Sequence, residues 1–118
     1  MRFNNNIIMK IIENKYIPFE GFKAITLGKW IFVRKGSWFT AQDYNHECIH
    51  YEQQKELLFV PFFILYALEY VIRFILYIGN AKKAYRAISF EKEAYTCERN
   101  PYYLEKRKRY TWIKYMFN

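Results

Sequence analysis

Apolar and polar positions near the start of the chain predict a β-hairpin. Apolar and β-branched residues dominate Phe22–Leu27 and Trp30–Arg34, and Gly28-Lys29 separates the two runs. Two such runs joined by a short glycine-containing turn are typical of antiparallel strands. The hairpin either offers a strand edge to a substrate backbone or only covers the helices that follow. The sequence leaves both interpretations open.

A helical pattern follows the hairpin. Thr40 is the predicted N-cap, with Asp43 three residues later as its acidic partner. We expect the first helix to run from Ala41 to about Val60. Pro61 lacks the backbone N–H that a continuing helix needs, so we expect it to end this helix and to open the next one.

Residues 57–78 form the most apolar stretch of the chain. Only Glu69 and Arg73 are charged among them. The length and hydropathy of the stretch are those of a transmembrane candidate. Pro61 near one end and a central Glu–Arg pair at helical spacing argue against a clean span. We expect a buried central helix, or one whose exposed side dips into a membrane surface.

The remaining segments predict shorter helices. Gly79-Asn80 is expected to end the apolar helix, and Ala81–Ile88 is interpreted as a basic, aromatic connector. Ser89 is the predicted N-cap of a helix over Phe90–Arg99. Tyr102–Tyr110 is the predicted last helix. The predicted fold class is α+β, with a small N-terminal β-hairpin packed on three to four helices.

The composition is that of one folded domain. The chain has 118 residues, of which 53% are hydrophobic and 22% aromatic, which excludes a disordered chain. We expect a single domain over residues 1–118, with residues 1–8 as a non-core extension. Cys48 and Cys97 are too few for a disulfide scaffold and are expected to be reduced, buried thiols, with a Cys48–Cys97 bridge as the alternative.

The formal net charge of +8 favours anionic partners. The basic run Lys106–Arg109 is flanked by aromatic residues, a pattern compatible with RNA or anionic lipid. Charge runs are more often solvated helix faces, so nucleic acid is not the expected partner, whereas an anionic membrane surface stays open. No signal-peptide pattern is recognised, and we expect a cytoplasmic protein that is free, peripheral to the membrane or embedded in it.

The segment His46-Glu47-Cys48-Ile49-His50 carries the strongest chemical signal. It reads H-E-x-x-H and holds both histidines of the chain. Residues four apart share a helix face, so the two imidazoles can bind one metal ion. Glu47 is then the candidate general base. Gln53 extends the same face by one turn, where it either contacts a metal ligand or substrate or is a solvated glutamine.

A catalytic zinc ion usually takes three protein ligands and a water, so a third ligand is needed. No third histidine exists, which leaves Asp, Glu or Cys. The segment Phe90–Ala94 supplies Glu91 and Glu93 as candidates. The two lie about 200° apart on a helix, so only one can face the metal. Ala94 shares a face with Glu91, and its small side chain would let two helices approach closely.

These residues together resemble the gluzincins, in which H-E-x-x-H lies on one helix and a zinc-binding Glu on a later one. In gluzincins related to membrane-linked zinc endopeptidases the later helix reads E-x-x-A-D. Alignment on Ala94 makes Glu91 the ligand and puts Tyr95 where that family often has Asp. The chain is also similar to small bacterial proteins with H-E-x-x-H-x-x-Q and F-E-x-E-A-Y, which here are His46–Gln53 and Phe90–Tyr95.

The resemblance implies a minimal zincin-like metallopeptidase with Zn²⁺ as cofactor and a peptide or protein as substrate. It implies His46, His50 and Glu91 as metal ligands and Glu47 as the general base. The candidates for oxyanion stabilisation or for contacts to the metal ligands are Gln53, Tyr85, Arg86 and Tyr95. The alternative is a non-catalytic zinc-binding or membrane-surface interaction module.

Overall fold

A computed structural model describes residues 9–18 and 21–117 of the chain. Over these residues, a three-stranded sheet precedes five α-helices and a final 3-10 helix. The predicted α+β fold class is therefore confirmed. The predicted extension, residues 1–8, lies outside the described residues.

The sheet contains the predicted hairpin and one further strand. Strand order is β1-β3-β2, with β2 antiparallel and β1 parallel to β3. The strand missed by the sequence pattern is β1, because charged Lys10 and Glu13 interrupt its apolar residues and its partner lies 20 residues away. The strands are β1 Lys10–Asn14, β2 Ala24–Leu27 and β3 Trp30–Arg34.

The first helix, α1, spans Ala41–Glu56 and carries the H-E-x-x-H motif. Its predicted cap is confirmed, because the Thr40 side chain accepts from the Asp43 amide and the Asp43 carboxylate accepts from the Thr40 amide. The helix ends four residues before the predicted Val60. Leu58 and Phe59 adopt positive φ angles of 61° and 69°, which turn the chain sharply.

The second helix, α2, spans Val60–Leu76 and has Pro61 in its first turn, as predicted. The expectation of a buried central helix is wrong, because Phe62 alone among the residues of α2 is buried. Among the described residues, no single helix has the length and apolarity needed to cross a membrane; α1 and α2 meet that requirement only as a pair bent by 111°.

The segment predicted as a connector is a helix, α3, over Ala81–Ala87, because the Asn80 side chain accepts from the Lys83 amide and caps it. Ser89 is not the cap of the next helix, α4, which spans Ser89–Cys97. Its hydroxyl instead donates to Glu69 Oε1 at 2.6 Å.

The predicted last helix is wrong in extent. A short helix, α5, covers Tyr103–Lys106, and a 3-10 helix covers Thr111–Tyr115. Arg107 is extended, and Tyr110 has a left-handed φ of 61°. The helix does not continue through Arg107 because the Arg107 side chain is held by carboxylates on α1 and α4.

That contact changes the interpretation of the basic run. Arg107 forms ion pairs with Glu56 and Glu93, and all three side chains are at most 5% exposed. The other members of the run, Lys106, Lys108 and Arg109, are exposed as predicted. Buried carboxylates need a paired charge. The ion pairs of Arg107 with Glu56 and Glu93 therefore hold the segment after α5 against α1 and α4.

The core consists of two apolar clusters on either side of α4. Cys48 and Ile49 of α1 pack against Ala94 and Leu104. The second cluster contains Phe62, Ile88, Phe90 and Trp112. Both cysteines are free thiols, as predicted, but only Cys48 is buried and Cys97 is half-buried. Helix α4 therefore contacts both α1 and α2, and from this position it can add a side chain to the motif.

Candidate metal centre

Three ligand atoms converge where α1 packs on α4. Nε2 of His46 and Nε2 of His50 lie 3.1 Å apart, and each is 3.2 Å from Glu91 Oε1. All three side chains are buried. The histidines share a face because they are four residues apart on α1. The structure thus brings together the three residues that the sequence analysis proposed as ligands.

The choice between Glu91 and Glu93 follows from the packing of α4. Ala94 is fully buried against Cys48 and Ile49, so its small side chain permits close approach of the two helices. Glu91 shares that face and reaches the histidines. Glu93 points elsewhere, to Arg107, and takes no part in the cluster.

The other ring nitrogens of the histidines also have partners. His50 Nδ1 lies 2.8 Å from Gln53 Oε1, and His46 Nδ1 lies 2.7 Å from Glu98 Oε1. Both partners are acceptors, so each Nδ1 carries the proton. In the neutral form of each ring, Nε2 then has a lone pair directed into the cluster, which is the form that binds a metal.

Gln53 is oriented by two further hydrogen bonds. Its amide Nε2 donates to Phe90 O at 3.0 Å and to Glu93 Oε1 at 2.9 Å. Because both amide hydrogens of Gln53 are used in this way, its Oε1 faces His50 and accepts from Nδ1, which fixes the tautomer of that ring. Gln53 is fully buried, so the alternative of a solvated glutamine is wrong.

Glu91 is held by a residue that the sequence analysis did not identify. The Tyr66 hydroxyl of α2 donates to Glu91 Oε2 at 2.6 Å. That contact leaves Oε1 directed at the histidines. The only signal in the sequence was the position of Tyr66 four residues after Phe62, on the same helix face.

The side chains of the cluster shift one another's pKa values even without a bound cation. Burial alone would raise the pKa of Glu91, but the charge of His50 and hydrogen bonds from both histidines lower it well below its usual value. Burial would lower the pKa of His50, but Glu91 raises it to about 9. Without a metal, a second proton on His50 Nε2 therefore supplies the positive charge beside Glu91, and a metal ion that binds there would displace this proton.

Glu47 faces the hairpin. Its Oε1 accepts the Thr26 hydroxyl of β2 at 2.7 Å, and both side chains are buried. Burial raises the pKa of Glu47 above its usual value, although the nearby histidines act in the opposite direction. Thr26 was not identified from the sequence, because its partner lies 21 residues later in another element.

The hairpin also anchors α1 through Gln54. The Gln54 amide donates to Thr26 O at 2.7 Å and accepts from the Gly28 amide at 2.8 Å. Strand β2 lies at the edge of the sheet. Gln54 therefore occupies part of the backbone that an added strand would need, which favours the covering role of the hairpin near the motif.

The three remaining candidates form a layer beside His46. The Tyr95 ring lies 4.6 Å from the His46 ring, and the Arg86 guanidinium stacks 3.7 Å from the Tyr95 ring. The hydroxyls of Tyr85 and Tyr95 are 3.4 Å apart. Burial and the charge of Glu91 raise the pKa of Tyr85 above its usual range. The phenol therefore stays protonated and can donate a hydrogen bond.

Comparisons of the chain with protein-family models, with curated proteins and with solved structures found no match. The resemblance to gluzincins therefore stays a prediction from the sequence. The case for a metal centre rests on the convergence of His46, His50 and Glu91 and on the contacts that orient them.

Proposed function

We propose that this protein is a zinc-dependent peptidase whose metal is held by His46, His50 and Glu91. The observation that carries the proposal is the spacing of the three buried ligand atoms, which are 3.1–3.2 Å apart. Atoms bound to a tetrahedral zinc at ordinary bond lengths lie about 3.3 Å from one another. Three protein ligands with a fourth position left over are typical of catalytic zinc sites.

Zinc bound there would act as a Lewis acid that polarises the scissile carbonyl and acidifies water. The protein's part is proton transfer. Glu47 takes a proton from the attacking water and delivers it to the leaving amine nitrogen. The Thr26 hydroxyl donates to Oε1 of Glu47, so Oε2 of Glu47 is the atom that carries the transferred proton in this proposal.

The layer beside His46 supplies the remaining groups. A Tyr85 or Tyr95 hydroxyl donates to the oxygen of the scissile carbonyl as negative charge develops on it. Arg86, stacked on Tyr95, holds that ring in place and adds positive charge. The substrate in this proposal is a peptide or protein, which approaches the metal from the side of this layer.

A second candidate function is a non-catalytic zinc-binding module. It is favoured by the depth of the site, because His46, His50 and Glu91 are each at most 6% exposed. Burial of all three ligands limits the access of a peptide to the metal. Under this alternative Glu47 is a buried carboxylate that only anchors the hairpin through Thr26.

Two measurements test the proposal in sequence. Metal analysis of the purified chain should find about one zinc per molecule. His46→Ala and Glu91→Gln should lose the metal, whereas Glu93→Gln should retain it. A chain that is metal-free after preparation without chelator would refute both candidate functions.

Peptide cleavage then separates the two candidates. Glu47→Gln should keep its zinc and lose at least about 100-fold in rate, the lower end of what a general base contributes. Zinc in both proteins with cleavage in neither would favour the non-catalytic module. Equal cleavage by wild type and Glu47→Gln would indicate a contaminating peptidase.

A further inference from the structure

Helix α2 has its polar residues on the side that faces the protein. Its buried and half-buried residues recur every three or four positions, which is the spacing of one helix face. That inner face consists of Phe62, Tyr66, Glu69, Tyr70 and Arg73. Both charged residues of the helix belong to it. A helix packed on a water-soluble core shows the reverse arrangement, with its apolar stripe inward.

Specific hydrogen bonds keep the two charges inward. Glu69 accepts from the Ser89 amide at 2.8 Å and from the Ser89 hydroxyl at 2.6 Å. Arg73 donates to Glu69 at 3.1 Å and to Met116 O at 2.6 Å. The charges are thus paired and hydrogen-bonded to the protein rather than to solvent.

The opposite side of α2 is apolar along its whole length. Ten of its 17 residues are exposed large hydrophobic residues, and we call this set the outer face of α2. These residues are Val60, Phe63, Ile64, Leu65, Leu68, Val71, Ile72, Phe74, Ile75 and Leu76. Leu58 before the helix and Ile78 after it are 78% and 92% exposed. The helix is about 25 Å long. Monomeric soluble proteins rarely leave a continuous apolar surface of this extent uncovered.

We propose that the outer face of α2 inserts into a lipid bilayer with anionic headgroups. Tyr77 is the C-cap of α2, and Lys82 and Lys83 are exposed in the first turn of α3, with Lys83 Nζ 5.1 Å from the centre of the Tyr77 ring. A tyrosine and lysines at the end of an apolar helix are the groups that lie at the headgroup level.

The net charge decides between a bilayer and a second copy of the chain. The chain carries +8, which is attracted to anionic headgroups and repelled by an identical molecule. The contacts of the inner face with Ser89 and Met116 give the helix a fixed orientation, so all of its outer face meets the lipid together.

Flotation of the full chain with lipid vesicles tests the proposal. The probes are vesicles of phosphatidylcholine alone and of phosphatidylcholine mixed with phosphatidylglycerol. The wild type should float with the mixed vesicles and less with the neutral ones. Ile72→Asp combined with Ile75→Asp should bind at least about 100-fold more weakly, because a charge on the inserted face is costly. Lys82→Ala combined with Lys83→Ala should bind the mixed vesicles about 30-fold more weakly. Its binding to the neutral vesicles should be unchanged.

The matched control is Trp38→Asp with Phe117→Asp, because both residues are over 80% exposed and lie outside α2. It should float like the wild type. Far-UV circular dichroism checks folding, and Ile72→Ser with Ile75→Ser provides a milder variant, for which a measurable loss is expected.

Three outcomes would overturn the proposal: no wild-type flotation, equal losses in the control and the outer-face variant, or unchanged flotation of the serine variant. A wild-type dimer that ignores vesicles and becomes monomeric in the outer-face variant would assign the surface to a second copy.

Discussion

Loss of the Arg107 side chain is expected to cost a large share of the stability of the fold. Its guanidinium contacts Glu56 through Nη1 and Nη2 at 3.0 Å each, and Glu93 through Nη2 at 3.1 Å and Nε. Burial alone would lower the pKa of Arg107, but hydrogen bonds and charges from both carboxylates raise it. One cation therefore balances two buried anions.

Arg107→Met would leave both carboxylates buried without a counter-charge. Removal of one partner from a buried ion pair costs about 3–5 kcal/mol. For a chain of this length that loss corresponds to roughly 12–20 °C in Tm. Native stabilities are only about 5–15 kcal/mol, so a large share of the folding free energy is at stake.

The assay is urea unfolding followed by tryptophan fluorescence, with all variants in the same chelator-containing buffer so that metal binding adds nothing. Lys106→Met is the matched control, since it removes a neighbouring exposed charge and should change stability by about 0.5 kcal/mol or less. Adding Glu93→Gln to Arg107→Met should recover part of the loss, because one buried charge is then gone. Equal midpoints for Arg107→Met and Lys106→Met would refute the reasoning.

The remaining predictions concern the candidate metal centre and α1, the helix that carries the H-E-x-x-H motif. Gln53→Leu should weaken zinc affinity about 10- to 100-fold in chelator competition, because it removes the acceptor of His50 Nδ1. Thr26→Val should lower kcat with zinc content unchanged, because the Glu47 carboxylate loses the hydroxyl that orients it; an unaltered kcat would contradict that role. Thr40→Ala should cost about 1 kcal/mol of stability in urea unfolding, since it removes the N-cap of α1. It should leave zinc affinity unchanged and so serves as the control for Gln53→Leu.

The contacts within one helix or turn were predictable. The spacing of His46 and His50 puts them on one face wherever the helix lies, and Thr40 with Asp43 marks its start. The hairpin turn at Gly28-Lys29 is similarly local. These features depend on residues at most four positions apart, so they follow from the local sequence without knowledge of the tertiary structure.

Partners from distant parts of the chain were not predictable in the same way. Glu98 meets His46 across 52 residues, and Tyr66 meets Glu91 across 25. No periodicity relates such pairs, because their approach depends on how α1, α2 and α4 pack. The predicted extent of the last helix was wrong for the same reason, since carboxylates on other helices hold Arg107.

The sequence by itself determined the motif, the helix that presents it and the two candidates for a third ligand, Glu91 and Glu93. Only the tertiary structure decided that Glu91 rather than Glu93 reaches the histidines, because the packing of Ala94 sets the rotation of α4. It also decided that α2 turns its charges inward and its apolar side outward. Hydropathy records how apolar a helix is, whereas the direction of each face is set by the partners that its polar groups find.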